Sequence, residues 1–165
     1  MSEGHWILPD ETATAALATR LAAAIGGEGR GLVLYLHGDL GAGKTSFARA
    51  LLAALGVRER IKSPTYSLVE SYRLPARTAW HLDLYRIADP GELEWLGLDA
   101  LSDDGAVVLV EWPERGRGAL PPADLDLHLA YAGIGREARL QAADARGRGV
   151  LERLASLPEA SSRQA

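Results

Sequence analysis

Eight consecutive residues, Gly38-Asp39-Leu40-Gly41-Ala42-Gly43-Lys44-Thr45, concentrate the chemistry of this chain. They fit G-x-x-x-x-G-K-[ST], the spacing of a loop that cradles the phosphates of a nucleoside triphosphate. Gly38, Gly41 and Gly43 reach backbone angles that a Cβ forbids and let N–H groups approach phosphate oxygens. Unpaired N–H groups at the start of a following helix, together with its dipole, favour an anion there. Lys44 can place its ammonium on the β- and γ-phosphates, and the Thr45 hydroxyl can ligate Mg²⁺, a hard cation that prefers oxygen. The plain alternative is a glycine-rich turn that ends by chance in Lys-Thr. The flanks argue against it. An apolar, β-favouring run precedes the loop at 32–36, and a good helix sequence follows at 46–55, closed by Gly56.

A triphosphate loop needs a carboxylate to help hold Mg²⁺, usually at the end of a neighbouring strand. Two acids qualify. Glu111 ends the apolar run Val107-Val108-Leu109-Val110, and Asp83 lies in His81-Leu82-Asp83-Leu84-Tyr85-Arg86. A surface acid opening a loop is the bland reading of the first, and an exposed alternating residue that of the second. Trp112 follows Glu111 and could pack on a base or a partner, although a half-buried core Trp is the commoner outcome. Thr65, on the restrained loop Ser63-Pro64-Thr65-Tyr66, could sense a γ-phosphate as ordered loops do in nucleotide switches. Arg136 could reach a phosphate or a nucleotide, against the ordinary fate of a solvated hairpin Arg. The four histidines show no metal-ligand spacing, and His37, just before the loop, reads as packed rather than catalytic. No arginine finger is evident near the loop.

These residues must be positioned by an α/β fold. Asp10 is placed to cap a helix whose apolar residues Leu17, Leu21, Ala24 and Ile25 recur at helical spacing. Residues 26–31 read as a loop. Strands are expected at 66–74 and 80–85, and a helix start at Asp89-Pro90 with a further turn at 98–101. The continuous run at 106–111 looks like a buried parallel strand. Strict alternation at 125–131 and 138–142 predicts an antiparallel pair joined through Gly133-Ile134-Gly135. A short helix at 150–157 closes the domain, with 161–165 frayed. The expected architecture is a three-layer phosphate-loop fold spanning 1–160, with central parallel strands extended by antiparallel ones. Ligands in such sheets sit beyond the carboxyl ends of the central strands, which gathers the loop and both acids into one crevice.

Composition bounds the rest. A chain of 165 residues can bury one sizeable core. It has no cysteine, which removes disulfides and thiolate chemistry. No signal-peptide pattern or membrane-length apolar run is seen, so a cytoplasmic location is expected. A net charge of −4 gives no bulk attraction to nucleic acid.

Taken in order, the glycine loop, Lys62-Ser63-Pro64-Thr65-Tyr66, Asp83-Leu84-Tyr85-Arg86, Leu109-Val110-Glu111-Trp112-Pro113 and Gly135-Arg136-Glu137-Ala138-Arg139 resemble the TsaE family, also called YjeE. That family comprises small bacterial ATPases needed to make threonylcarbamoyladenosine in tRNAs that read codons starting with A. The resemblance spans nearly the whole chain, with Ser46 standing where a second Thr is common. It implies that Leu40, Gly41, Ala42, Gly43, Lys44 and Thr45 hold the phosphates of ATP, and that Thr45 and Glu111 bind Mg²⁺. It places Asp83 in the site as a metal-shell or water-orienting residue, Thr65 on a switch-like loop and Trp112 near the nucleotide. Arg136 and a residue opening the first helix, Glu11 or Ala13, would lie near the base or ribose. It further implies TsaD and TsaB as partners, with tRNA reached only through them and the chain itself a monomer. In that reading ATP hydrolysis resets the pair between turnovers and the chain transfers no group itself.

Two other classes compete. A small-molecule kinase needs an acceptor pocket and usually an Arg-rich closing lid, and no inserted lid segment is evident. A non-hydrolysing nucleotide-dependent scaffold would bind ATP and a partner without needing Lys44 for turnover.

Overall fold

The computed structural model describes residues 2–26 and 30–158. The expected frayed tail, and residues 27–29 of the loop after the first helix, lie outside the described residues. Seven strands form one mixed sheet: β1 (Glu3–Leu8), β2 (Leu32–His37), β3 (Val69–Arg73), β4 (Thr78–Asp83), β5 (Val107–Glu111), β6 (Leu125–Ala132) and β7 (Gly135–Ala142), in the order β1-β7-β6-β2-β5-β4-β3. The centre is parallel, β6 and β5 flanking β2 and β4 following β5. Antiparallel pairs extend it at both ends: β4 with β3, β6 with β7, and β7 with β1.

Three α-helices, α1 (Glu11–Ile25), α2 (Lys44–Leu55) and α3 (Ala145–Ser156), share one core with the sheet face that carries Leu34, Leu36, Leu109 and Leu127. The other face, with Val108, Val110 and Leu82, packs under the 3-10 helices Pro90–Leu96 and Leu98–Ser102 through Leu93 and Leu101. The result is a three-layer α/β arrangement whose third layer is built of 3-10 turns. Both faces of β5 are therefore dry, which is why its sequence is a continuous apolar run rather than an alternating one. Each fully buried leucine of these layers contributes about 1.5–3 kcal/mol relative to exposure.

Local chemistry sets the element ends. Asp10 caps α1 by accepting the Ala13 N–H at 2.9 Å. Asp89 caps the first 3-10 helix in a capping box with Glu92, and Pro90 opens it; the helix expected there is a tighter 3-10 one. Asp144 caps α3, which starts earlier than the expected 150. The strand expected from 66 begins only at Val69. Residues 64–67 turn instead, Leu68 donates its N–H to Pro64 O, and Leu68 itself sits at φ 71. A left-handed leucine costs roughly 1–2 kcal/mol. It is locked by the N–H of Asp83, which donates to Leu68 O at 3.0 Å.

Candidate active site at the glycine loop

Strand β2 delivers residues 38–43 onto the start of α2. Gly43 takes φ 108, a left-handed angle open to glycine, and precedes the first turn of the helix directly. At Gly38 an added Cβ would lie 2.5 Å from the Leu129 carbonyl of β6, so the loop leaves the sheet where no side chain fits. The loop's carbonyls are tied from outside. Arg136 Nε donates to Ala42 O at 3.1 Å and one terminal nitrogen to Gly41 O at 3.0 Å. The Tyr131 hydroxyl donates to Leu40 O at 3.1 Å, and the Arg136 guanidinium stacks 4.3 Å from the Tyr131 ring.

The loop forms a ridge between two cavities. One, of about 360 Å³, is walled by Lys44, Thr45, Thr65, Asp83, Glu111 and Trp112, with Arg86 beside them. The other, of about 380 Å³, lies across Gly41, Ala42 and Gly43, between the start of α1 and Arg136. Glu11 lines this second cavity. Ala13 does not: it packs against the core and gives its N–H to Asp10. Arg136 both lines the cavity and holds the loop.

In the first cavity Glu111, at the end of β5, stands level with Asp83 on the adjacent parallel strand β4. Both are buried. The Thr45 hydroxyl faces both Glu111 carboxylate oxygens, at 2.9 and 3.0 Å. His81, two residues before Asp83 and on the same face of β4, places Nε2 2.7 Å from Glu111 Oε2 in a fully buried contact. Its Nδ1 finds no partner among the described residues. An Nε2–H donor to the carboxylate is thus the tautomer that leaves only an acceptor unpaired.

Lys44 turns its ammonium onto the carbonyls of Gly38 and Asp39 and lies 4.0 Å from the centre of the Trp112 ring. Burial lowers its pKa, against the raising fields of Glu111 and Asp83. Burial raises the pKa of Asp83, opposed by the Tyr85 N–H that its carboxylate accepts. Trp112 takes a left-handed angle, φ 58, immediately after Glu111, which brings its ring over Lys44 and against Tyr85 at 5.1 Å. Thr65 bonds to Ser63 Oγ at 2.7 Å and reaches the same cavity.

Of the phosphate-side residues expected from the sequence, Leu40, Gly41, Gly43, Lys44, Thr45, Thr65, Asp83, Glu111 and Trp112 line one cavity, while Ala42 lines the other. Two were missed. His81 gave a usable signal, its i, i+2 spacing from Asp83 on one face of a strand. Arg86, read from the sequence only as part of Asp83-Leu84-Tyr85-Arg86 and given no role, places a second cation on the cavity wall, its guanidinium 4.6 Å from the Tyr66 ring. His37 lies away from this cavity, paired with Asp126 at 2.7 Å and stacked on His128.

The donor set suits a hard cation: one hydroxyl and two carboxylates, all oxygen. Among the described residues no group of three or more acidic, histidine or cysteine side chains is arranged to hold a metal on its own.

The sequence model of threonylcarbamoyl adenosine biosynthesis protein TsaE matches residues 8–139. The chain belongs to the TsaE family. Its role accordingly lies in threonylcarbamoyladenosine biosynthesis. A TsaE protein of Haemophilus influenzae is 40% identical over 122 residues, 74% of this chain and 77% of that protein. One from Bacillus subtilis is 36% identical over 133 residues, 81% of each. The crystal structure of Bacillus subtilis YdiB superposes with a TM-score of 0.75 at 30% identity, covering 94% of this chain and 96% of the other. The fold, the matched family and the glycine-loop crevice thus coincide in one molecule.

Proposed function

We propose that the chain is a Mg²⁺-dependent ATPase that drives the TsaD–TsaB threonylcarbamoyl-transfer pair through its cycle without transferring the group itself. The observation that carries this reading is the contact of Thr45 with both Glu111 oxygens, beside Lys44 and at the base of the glycine loop. A hydroxyl, a buried carboxylate and an ammonium converge where a β,γ-phosphate pair on this loop would lie.

Mg²⁺, when bound, neutralises charge on the β- and γ-phosphates. Thr45 and Glu111 would hold it, with Asp83 beside them. The loop N–H groups and Lys44 stabilise the charge that develops during in-line attack of water on the γ-phosphorus. Asp83, a buried acid on the cavity wall whose pKa is raised by burial, would orient the attacking water. ADP and phosphate are the products. Trp112 packs its ring 4.0 Å from the Lys44 ammonium. The cavity across the loop, between Glu11 and Arg136, would take the base and ribose. Thr65 lines the same cavity, and its loop would respond there to loss of the γ-phosphate.

The decisive experiment measures ATP hydrolysis by the purified chain, alone and with the TsaD–TsaB pair. Weak turnover alone that changes sharply with the pair is expected. Lys44→Ala should remove tight ATP binding and turnover while leaving the folded circular-dichroism spectrum intact. Turnover indifferent to both the pair and Lys44 would overturn the proposal.

A further inference from the structure

After Asp83, Tyr85 and Arg86 the chain leaves the phosphate cavity and enters Pro90–Leu96 and Leu98–Ser102. This segment is anchored rather than loose. Leu93 and Leu101 are buried in the second core, and Asp89 and Glu92 accept each other's backbone N–H groups. Yet Trp95 is 90% exposed, and Leu96 beside it is also exposed. A scattered exposed leucine needs no explanation, but a tryptophan held outward on a capped, pinned element is an unpartnered apolar surface. Next to it runs a groove of about 860 Å³ between this segment and residues 117–121, floored by Leu93, Leu98 and Leu120 and rimmed by Glu94, Asp99 and Arg117.

The segment that carries this surface is acidic, and Arg117 stands across the groove from it. Residues 87–104 contain Asp89, Glu92, Glu94, Asp99, Asp103 and Asp104 and no Lys or Arg. The rest of the chain, with 18 basic and 16 acidic residues, is net positive. The negative balance of the protein therefore resides on the element that displays Trp95. Such a surface repels a phosphate backbone or an anionic lipid leaflet. It complements a protein face that offers an apolar cavity ringed by Lys and Arg.

Building on the proposed function, we infer that the Trp95 face is the docking surface for one member of the TsaD–TsaB pair. The partner inserts an apolar cavity over Trp95 and sets basic residues against Glu94 and Asp99. An aromatic anchor ringed by charge is the usual make-up of an energetically dominant contact, with the charges steering encounter. The docked element is also in covalent sequence with the site. Ile87 N–H bonds to Leu84 O, Leu84 N–H bonds to Glu111 O, and Asp83 N–H bonds to Leu68 O. Only eleven residues separate Asp83 from Trp95 in the sequence, so a partner bound there has a short route to the acid and to the Thr65 loop.

The test is calorimetric titration of the full chain, with ATP and Mg²⁺, into the TsaD–TsaB pair at low and high salt. Trp95→Ser should weaken binding roughly tenfold or more. Glu94→Lys with Asp99→Lys should weaken it and flatten its salt dependence. Affinity for ATP should be unchanged in both variants, which also shows that they fold. If the wild-type chain binds the pair and both variants bind equally well, the surface is overturned while the ATPase reading stands. If the wild-type chain does not bind the pair, the functional reading fails and this inference with it. A wild-type dimer in sedimentation velocity that Trp95→Ser splits would assign the face to a second copy of the chain and overturn the partner.

Discussion

At the scale of single residues, the decisive feature is a buried carboxylate held in place by its neighbours. Glu111 is held from one side by Thr45 and from the other by His81. Outer partners of this kind fix a ligating group, and their loss typically costs 10–100-fold in metal affinity. His81→Phe keeps a ring in the core and removes the donor. It should raise the Mg²⁺ concentration needed for nucleotide binding by roughly 10–100-fold, while binding measured in chelator stays close to wild type. His81→Gln, which retains an N–H donor, should recover part of the loss. Calorimetric Mg²⁺ titrations at fixed nucleotide read this directly, and an unchanged Mg²⁺ requirement in His81→Phe would show that Glu111 needs no support. The glycine loop was legible in the sequence from its spacing, and Glu111 and Asp83 from their places on expected strands. His81 was not, because its role depends on a strand pairing that brings residue 81 alongside residue 111, thirty positions away.

At the scale of elements, the β6–β7 hairpin holds the loop. Arg136 and Tyr131 bind the carbonyls of Leu40, Gly41 and Ala42 from outside, which fixes the peptide planes of the loop. Hydrogen bonds from a charged donor contribute about 1.5–3 kcal/mol each. Arg136→Ala should therefore weaken ATP binding by roughly tenfold or more, equally with and without Mg²⁺, because it acts on the loop and not on Thr45 or Glu111. Arg136→Lys should rescue only part, since an ammonium cannot repeat a planar fork. A defect confined to Mg²⁺-containing buffer would contradict this assignment. The hairpin was legible from its alternation and its Gly133-Ile134-Gly135 turn, but the target of Arg136 was not. Strand β1 escaped the sequence reading altogether. Its Glu3-Gly4-His5-Trp6 start lacks β-branched residues, and it becomes a strand through pairing with β7, from Glu3 opposite Gln141 to Leu8 opposite Arg136. Strand β3 was overextended because the β-forming residues at 66–68 are claimed by a turn that ends in the left-handed Leu68.

At the scale of the whole molecule, the sheet carries its chemistry at one end and a clasp at the other. The clasp is a pair of carboxyl groups that no motif announces. Asp124 exchanges two hydrogen bonds with Val33 near the start of β2, accepting on its side chain at 2.8 Å and donating from its backbone at 2.8 Å. Its carbonyl accepts from Ala143 after β7, and its side chain shares a hydrogen bond with Asp144, the cap of α3. One strand start, one strand end and a helix cap thus meet on the strand that delivers the glycine loop. Burial and the neighbouring Asp144 push Asp124 up to about 6 from 3.8, with Arg146 opposing. An acid whose pKa is higher folded than unfolded holds its proton longer in the native state, so its contribution to stability falls as pH rises between those two values. It is fully present below about 4 and absent above about 6. Asp124→Asn keeps an acceptor for the Val33 N–H and supplies a permanent donor to Asp144. The variant should therefore melt at a temperature that gains on wild type steadily from pH 4.5 to pH 6.5 and then stays level, which thermal unfolding across that range measures. A pH-independent difference would mean that the two carboxyl groups do not share a proton. The clasp is 91 residues from β2 in sequence and involves one strand from each half of the chain. Only the assembled sheet makes it a single structure, so the glycine loop rests on a strand anchored by residues that the motif itself could never indicate.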